Sequence, residues 1–244
     1  MFGNAPPGSM TARDGGLGMP RDSGPSLQCD KTLKLVMRDF KEEHPDFEDF
    51  IPDTWDGLQD YDGVVQEILG ADKKPIYAPS GATPITSGPQ AFAQWYRDVD
   101  GVNQRIESEI AFMEQRPGLF VYDDGSFFPL DGMGFGNGPE PEHNFLFTTE
   151  AHTLFTYKGG EQFTFRGDDD LWIFINDRLA VDLGGVHRPL EESVDFDDQA
   201  TELEIEIGKT YSMDIFHAER HTSESNFHIE TTIDLSCVQN VPVQ

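Results

Sequence analysis

One stretch of this chain leaves little freedom in how it can fold. From residue 143 to residue 235, apolar side chains recur at every second position in short runs, and the runs are separated by turn residues. HNFLFTTEAHTLFTYKGGEQFTFRG alternates Phe145 with Phe147, Leu154 with Thr156 and Phe163 with Phe165. NFHIETTIDL puts Phe227, Ile229, Thr231, Ile233 and Leu235 on one face. A period of two is the pleat of a strand with one face buried. LWIFI, residues 171–175, is apolar without alternation, which suits a central strand covered on both faces. TELEIEI predicts a strand with Leu203, Ile205 and Ile207 inward and Glu202, Glu204 and Glu206 outward. It is followed by a Gly-Lys turn and TYSMDIF, so the two predict a hairpin. Short strands between turns predict an all-β fold, an antiparallel β-sandwich or closed barrel, with residues 143–235 supplying most of the core.

The rest of the chain is mixed. KTLKLVM reads as a strand through Leu33, Leu35 and Met37. YDGVVQEILG spaces Val64, Val65, Ile68 and Leu69 as a helix over 61–69 stopped by Gly70. GPQAFAQWYRDV predicts a second short helix over 89–98, with Phe92, Trp95 and Tyr96 on one face, and the Pro/Gly-rich stretch between the two helices must be loop. Residues 1–28, rich in Gly, Pro, Ser and Asp, read as a flexible leader. Residues 29–237 read as one domain and 238–244 as a tail or linker. The opening residues lack the basic start and apolar run of a secretory signal.

Charge narrows the function classes. With 17 Lys+Arg against 45 Asp+Glu the net charge is −28, a field that repels nucleic-acid phosphates and anionic lipid and attracts cations. No run of about 18 apolar residues occurs, so membrane insertion is not expected. Two cysteines, Cys29 and Cys237, flank the folded part. Their positions predict a disulfide joining the two ends, and hence an oxidising compartment; two separate buried thiols are the alternative.

The segment with most chemical content is RGDDDLWIFINDRLAVDLGGVH, residues 166–187. Its three adjacent carboxylates, Asp168, Asp169 and Asp170, lie between two apolar strands and repel one another unless a cation or solvent screens them. A hard cation such as calcium takes six to eight oxygens at an adaptable site, and an exposed acidic turn is the alternative. A later polar loop, 217–226, offers Glu219, Glu224 and Asn226 as oxygen donors. His217 and His221 have the four-residue spacing of a zinc pair on a helix, but their flanks read as strands, so the expectation is that they hydrogen-bond within a loop or face a ligand. No nucleophile elbow, P-loop or HExxH motif is present, and 45 acidic residues hide any glycosidase pair, so no enzyme is expected. Trp55, Trp95 and Trp172 are the aromatics large enough to stack on a sugar, with Trp172 assigned to the core by its apolar flanks.

Several long segments, in order, resemble the fibro-slime domain family: RDFKEEHPDFE at 38–48, GVVQEILGADKKPIY at 63–77, FAQWYRDVDGVN at 92–103, DDGSFFPLDGMGFG at 123–136, the run 143–187 and TYSMDIFHAERHTSESNFHIET at 210–231. Such domains occur in secreted and surface proteins of microbes. They look like relatives of the protective-antigen-type sandwich, whose flocculin-like members hold calcium on an adjacent Asp-Asp pair and grip sugar hydroxyls with it. The resemblance implies Asp168 and Asp169 as first ligands of Ca2+, Asp170 as the rival partner, and Glu219 and Asn226 from the late loop. Around a bound ligand it implies His187, His217, Glu219 and Arg220. It therefore implies a secreted or cell-surface, calcium-dependent adhesion domain whose partner is a glycan or a matrix component. The alternative is a module that self-assembles in slime, matrix or a filament with a purely structural ion. The third aspartate, the inserted GGVHRPLEESVDFDD and the long N-terminal part depart from the adhesin pattern.

Overall fold

The computed structural model describes residues 1, 32–47, 61–138, 142–187, 189–221, 225–235 and 237–243. The elements are β1 (Thr32–Phe40), α1 (Pro89–Phe92), β2 (Asn103–Ala111), β3 (Met113–Arg116), β4 (Leu119–Asp124), β5 (Phe147–Thr156), β6 (Gln162–Gly167), β7 (Asp170–Ile175), β8 (Arg178–Leu183), β9 (Leu190–Asp195), α2 (Phe196–Gln199), β10 (Thr210–Glu219), β11 (Phe227–Thr231) and β12 (Gln239–Asn240). They form a sandwich of two antiparallel sheets. The larger has the order β2-β1-β5-β10-β7-β8 with β12 also paired to β5, and the smaller has the order β3-β4-β11-β6-β9. The expected all-β class with a few short helices is what forms.

Register decides which side chain faces which layer. Across the large sheet Leu35, Ala151, Ile215, Ile173 and Val181 lie in one row and point between the sheets. They meet Phe163, Phe165, Phe227 and Ile229 from the small sheet. Alternate residues, among them Phe40, Phe216, Trp172 and Phe174, point the other way into a second core. The described residues of 40–47 and 61–102 build that second core, laying Phe47, Val64, Val65, Phe92, Trp95 and Tyr96 over the outer face of the large sheet. LWIFI is buried at every position because it carries both cores. Trp95 and Trp172 are both fully buried, with ring centroids 6.2 Å apart, so neither is a surface platform for a sugar. Trp55 lies outside the described residues.

Three local expectations are corrected. No helix forms over 61–69. Gly63 takes φ +82°, two β-branched valines follow, and the backbone donors leave the segment: Gln66 N–H bonds Ile76 O (2.8 Å) and Leu69 N–H bonds Asp177 O (3.0 Å). The second helix shrinks to the four residues of α1, although Phe92, Trp95 and Tyr96 do share a buried face. TELEIEI is not a strand: Glu204 is left-handed at φ +53°, Leu203 and Ile205 are buried from turns that follow α2, and Ile207 is 69% exposed. β10 has β5 and β7 as its neighbours, which leaves no edge for the predicted hairpin.

At the ends, Cys29 and all of the leader but Met1 lie outside the described residues, so the disulfide pairing is not described here. Val238 is buried in the core and β12 pairs with β5, so the first residues of the expected tail are built into the sheet.

A candidate cation site where the chain crosses between sheets

The three aspartates occupy a crossover. β6 belongs to the small sheet and ends at Gly167; β7 belongs to the large sheet and starts at Asp170. Two residues, Asp168 and Asp169, carry the chain across, and so short a step forces Asp169 into the left-handed region at φ +56°. A second crossover runs beside it, from the end of β10 at Glu219 to the start of β11 at Phe227. Aspartate side chains stitch the two together. Asp168 accepts from the backbone N–H and side-chain amide of Asn226, and Asp169 Oδ2 accepts from Arg220 N–H at 2.7 Å.

Strand parity then sorts the charges by layer. Asp170 lies opposite Ala218 on the outer face of the large sheet, and Arg220 reaches it there with Nε 2.6 Å from Oδ2. The other oxygen of Asp170 accepts from Gly185 N–H at 2.8 Å. The Arg220 head is pinned further: Nη1 donates to the carbonyls of Asp46 (3.1 Å) and Ile85 (2.7 Å), and the guanidinium carbon sits 4.8 Å from the centre of the Trp95 ring. Glu219 and His217, of opposite parity, face between the sheets. His217 is enclosed by the rings of Phe127, Phe147 and Phe227, and this burial lowers its pKa to about 3, so it stays neutral.

Glu219 is the anomaly. It is fully buried, yet neither carboxylate oxygen has a hydrogen-bond donor; Ser225, beside it, donates to Phe127 O at 2.8 Å. Burial first, then the charges of Asp169 and Asp168, push the Glu219 carboxyl well above the carboxylate range. Burial also pushes Asp169 up to about 7, against the pull of Arg220. His187 is buried nearby, with Nε2 3.4 Å from Leu183 O. Four buried carboxyl groups thus lie at the crossover, and the Arg220 guanidinium pairs with one of them, Asp170. Among the described residues no group of three or more His, Cys, Asp and Glu side chains is placed so that it could hold a metal ion.

Of the residues singled out from sequence, Asp168, Asp169, Asp170, Glu219, Arg220, Asn226 and His187 come together here. His217 is on β10, two residues before Glu219, and not in a loop; its ring is packed among aromatics, and Glu224 lies outside the described residues. Sequence reasoning missed Asp46, Ile85 and Trp95 as the seat of Arg220. They lie far from it along the chain, and no local pattern marks them.

Both crossovers fall within one recognisable unit. Residues 132–241 match the PA14 domain. The PA14 match holds every carboxylate of the site and Arg220, while Asp46, Ile85 and Trp95 lie outside it. Among curated proteins the chain is similar to protein psiD of Dictyostelium discoideum, 38% identical over 211 residues covering 80% of this chain and 40% of psiD. Protein psiC of the same organism is 36% identical over 211 residues, covering 80% of this chain and 39% of psiC. The chain therefore spans about two fifths of the length of these relatives. Among solved structures, the PA14 domain of the MpAFP antifreeze protein matches with a TM-score of 0.31 at 10% identity, over 52% of this chain and 77% of that one. A PA14 sugar-binding domain from an RTX adhesin matches with a TM-score of 0.27 at 12% identity, over 51% and 75%.

Proposed function

We propose that residues 29–237 form a fibro-slime-type recognition domain that binds calcium at the double crossover and uses it to hold carbohydrate outside the cell, without turning its ligand over. The observation that carries the reading is Glu219: a buried carboxylate with no donor, beside Asp168 and Asp169. Such a group needs a proton or a cation. An all-oxygen, strongly anionic donor set suits calcium better than zinc, and His217, buried and neutral among phenylalanines, is poorly placed to add a nitrogen ligand. Asp168, Asp169 and Glu219 would hold the ion, Asn226 keeps Asp168 in place, and Asp170 serves as the counter-ion of Arg220. Calcium would neutralise the cluster and leave coordination positions for hydroxyl oxygens. The PA14 match over the same residues supports a recognition role.

A specific observation favours the second reading, an assembly module with a structural ion: Asp168, Asp169 and Glu219 are at most 4% exposed, which leaves a ligand little room. Two measurements separate the readings. Melting curves of wild type and Asp169→Ala, with calcium and with chelator, should show a calcium-dependent rise in wild type alone; four equal melting temperatures would reduce the triplet to an acidic turn. A glycan array with and without chelator should then show selective, calcium-dependent binding. Ordered polymers without sugar, together with a blank array, would favour the assembly module.

A further inference from the structure

The described strands end in four sheet edges: β2 and β8 on the large sheet, β3 and β9 on the small one. Three of them are poor templates for another strand. β8 is covered by residues 67 and 68, with Leu179 N–H bonded to Glu67 O at 2.9 Å and a bridge between Ile68 and Arg178. β9 carries Glu191, Glu192 and Asp195 and no basic residue, so it repels a copy of itself. β3 is four residues long, and its pairing with β4 is broken between Glu114 and Arg116. β2 differs from all three. Its nine residues run in unbroken register with β1, and among the described strands β1 is its one neighbour. On its outer face Glu109 is taken by Lys34 of β1, whereas the Glu107 side chain is 78% exposed and Arg105 stands beside it. On the inner face Ile106, opposite Met37, is half-buried at the margin of the core.

Residues opposite one another in an antiparallel pair share a face. A second copy of β2 set beside the first about a two-fold axis must therefore be centred on a residue, not between two. Charge then selects the centre. Centres at Arg105, Glu107 and Glu109 set a charge against its own copy, and a centre at Ser108 sets Glu107 against Glu109. Centres at Gln104 and Ile110, or nearer the ends, leave most of the strand unpaired. Centred on Ile106, residues 103–109 of one copy lie against 109–103 of the other. Arg105 then faces Glu107 on both sides of the axis, Gln104 faces Ser108, and the two Ile106 side chains meet on the core side. We propose that β2 is the interface for a second copy of this chain, joined edge to edge about Ile106 so that the two large sheets run on as one. The contact is closed: each copy uses up its β2 edge, so pairing stops at two. It does not rest on the calcium reading, and the ordered polymers of the assembly reading would need a further surface.

The test is sedimentation velocity on the full chain over a wide range of concentration, with chelator present so that no ion takes part. At roughly 0.15 M salt the long-range repulsion between copies of charge −28 is largely screened. Wild type should show a concentration-dependent equilibrium between monomer and dimer. Arg105→Glu and Glu107→Arg each replace two opposite-charge pairs across the axis by two like-charge ones, so each should weaken dimerisation about tenfold or more. Both positions are exposed, so the melting temperature of the monomer should barely move. Glu107→Arg also lowers the net negative charge, so a dimer governed by overall repulsion would strengthen instead. A mixture of the two single variants again sets acid against base at every charged position about the axis and should form a heterodimer as strong as the wild-type dimer. The double variant Arg105→Glu/Glu107→Arg should dimerise with itself. Wild type that stays monomeric at every concentration overturns the proposal. So does a dimer that neither single variant weakens, or a mixture that does not associate.

Discussion

Two of the buried charge clusters on the large sheet differ in how their charges are matched. Glu150, in the middle of β5, is held by Lys74 Nζ at 2.7 and 2.9 Å and by Arg38 Nη1 at 3.3 Å, and Arg38 turns its Nε to Asp98 at 2.9 Å. Cation and anion alternate, although Arg38 Nη1 makes only the ion-pair contact and no hydrogen bond. At the rim of the same sheet Arg220 pairs with Asp170, and on the inner face beside it Glu219 is buried with no donor on either oxygen. Burying charge is therefore not what marks the crossover as a site. The first cluster pins loop to strand with paired charges, whereas burial and the neighbouring aspartates push Glu219 toward its neutral form.

Four measurements would break or sharpen that contrast. The largest effect is expected from Glu150→Gln, which strands Lys74 and Arg38. It should cost about 3–5 kcal/mol in urea unfolding, the same with calcium or chelator; rescue by calcium would mean the two clusters are not distinct. Next, Asp169→Asn should cost little in chelator, because it removes a repelled charge. It should abolish the calcium increment, about 2.7 kcal/mol for wild type at a hundredfold excess over Kd.

The third measurement is pH. Asp169, raised to about 7, contributes stability that is complete below its unfolded value of 3.8 and is lost as pH rises through 7. His217, lowered to about 3, contributes stability that is present above 6.5 and lost as pH falls toward 3. The two slopes oppose each other in wild type. In chelator, Asp169→Asn should therefore gain on wild type by about 1.4 kcal/mol per pH unit between roughly pH 4 and 7, read as the difference between their urea midpoints. A constant difference across that range would contradict a buried, uncompensated Asp169. The smallest effect belongs to Arg97→Ala, which breaks the exposed pair with Asp72 on the same outer layer and should cost less than about 1 kcal/mol by thermal melting.

What could be read in the sequence follows from the same physics. β5, β6, β10 and β11 were legible because one face of each is buried and parity survives in the residue pattern, as in Phe227, Ile229 and Thr231. LWIFI was legible as doubly covered. The cover itself was not, because Val64, Val65 and Leu69 are buried from a loop whose backbone bonds run to Ile76 and Asp177. Apolar spacing there records contact with a sheet, not a helix period. Nor were β2 and β3 foreseen, edge strands whose exposed residues outnumber their buried ones. At the site, the acidic triplet was visible, but its division of labour was not. Which aspartate pairs with Arg220 depends on the face each residue takes after the crossover, and the pin at Asp46 spans 174 residues.

The two ends of the fold meet at one side chain. Asn240 accepts from Lys34 N–H at 2.8 Å and donates to Thr32 O at 2.9 Å, and β1 and β12 lie end to end along the same edge of β5. Tension applied to residues 32 and 240 would therefore load this small clasp first, with both sheets and the double crossover outside the line of force. Mechanically the domain is a pendant hung from the chain at one point, not a link through which the pull must pass.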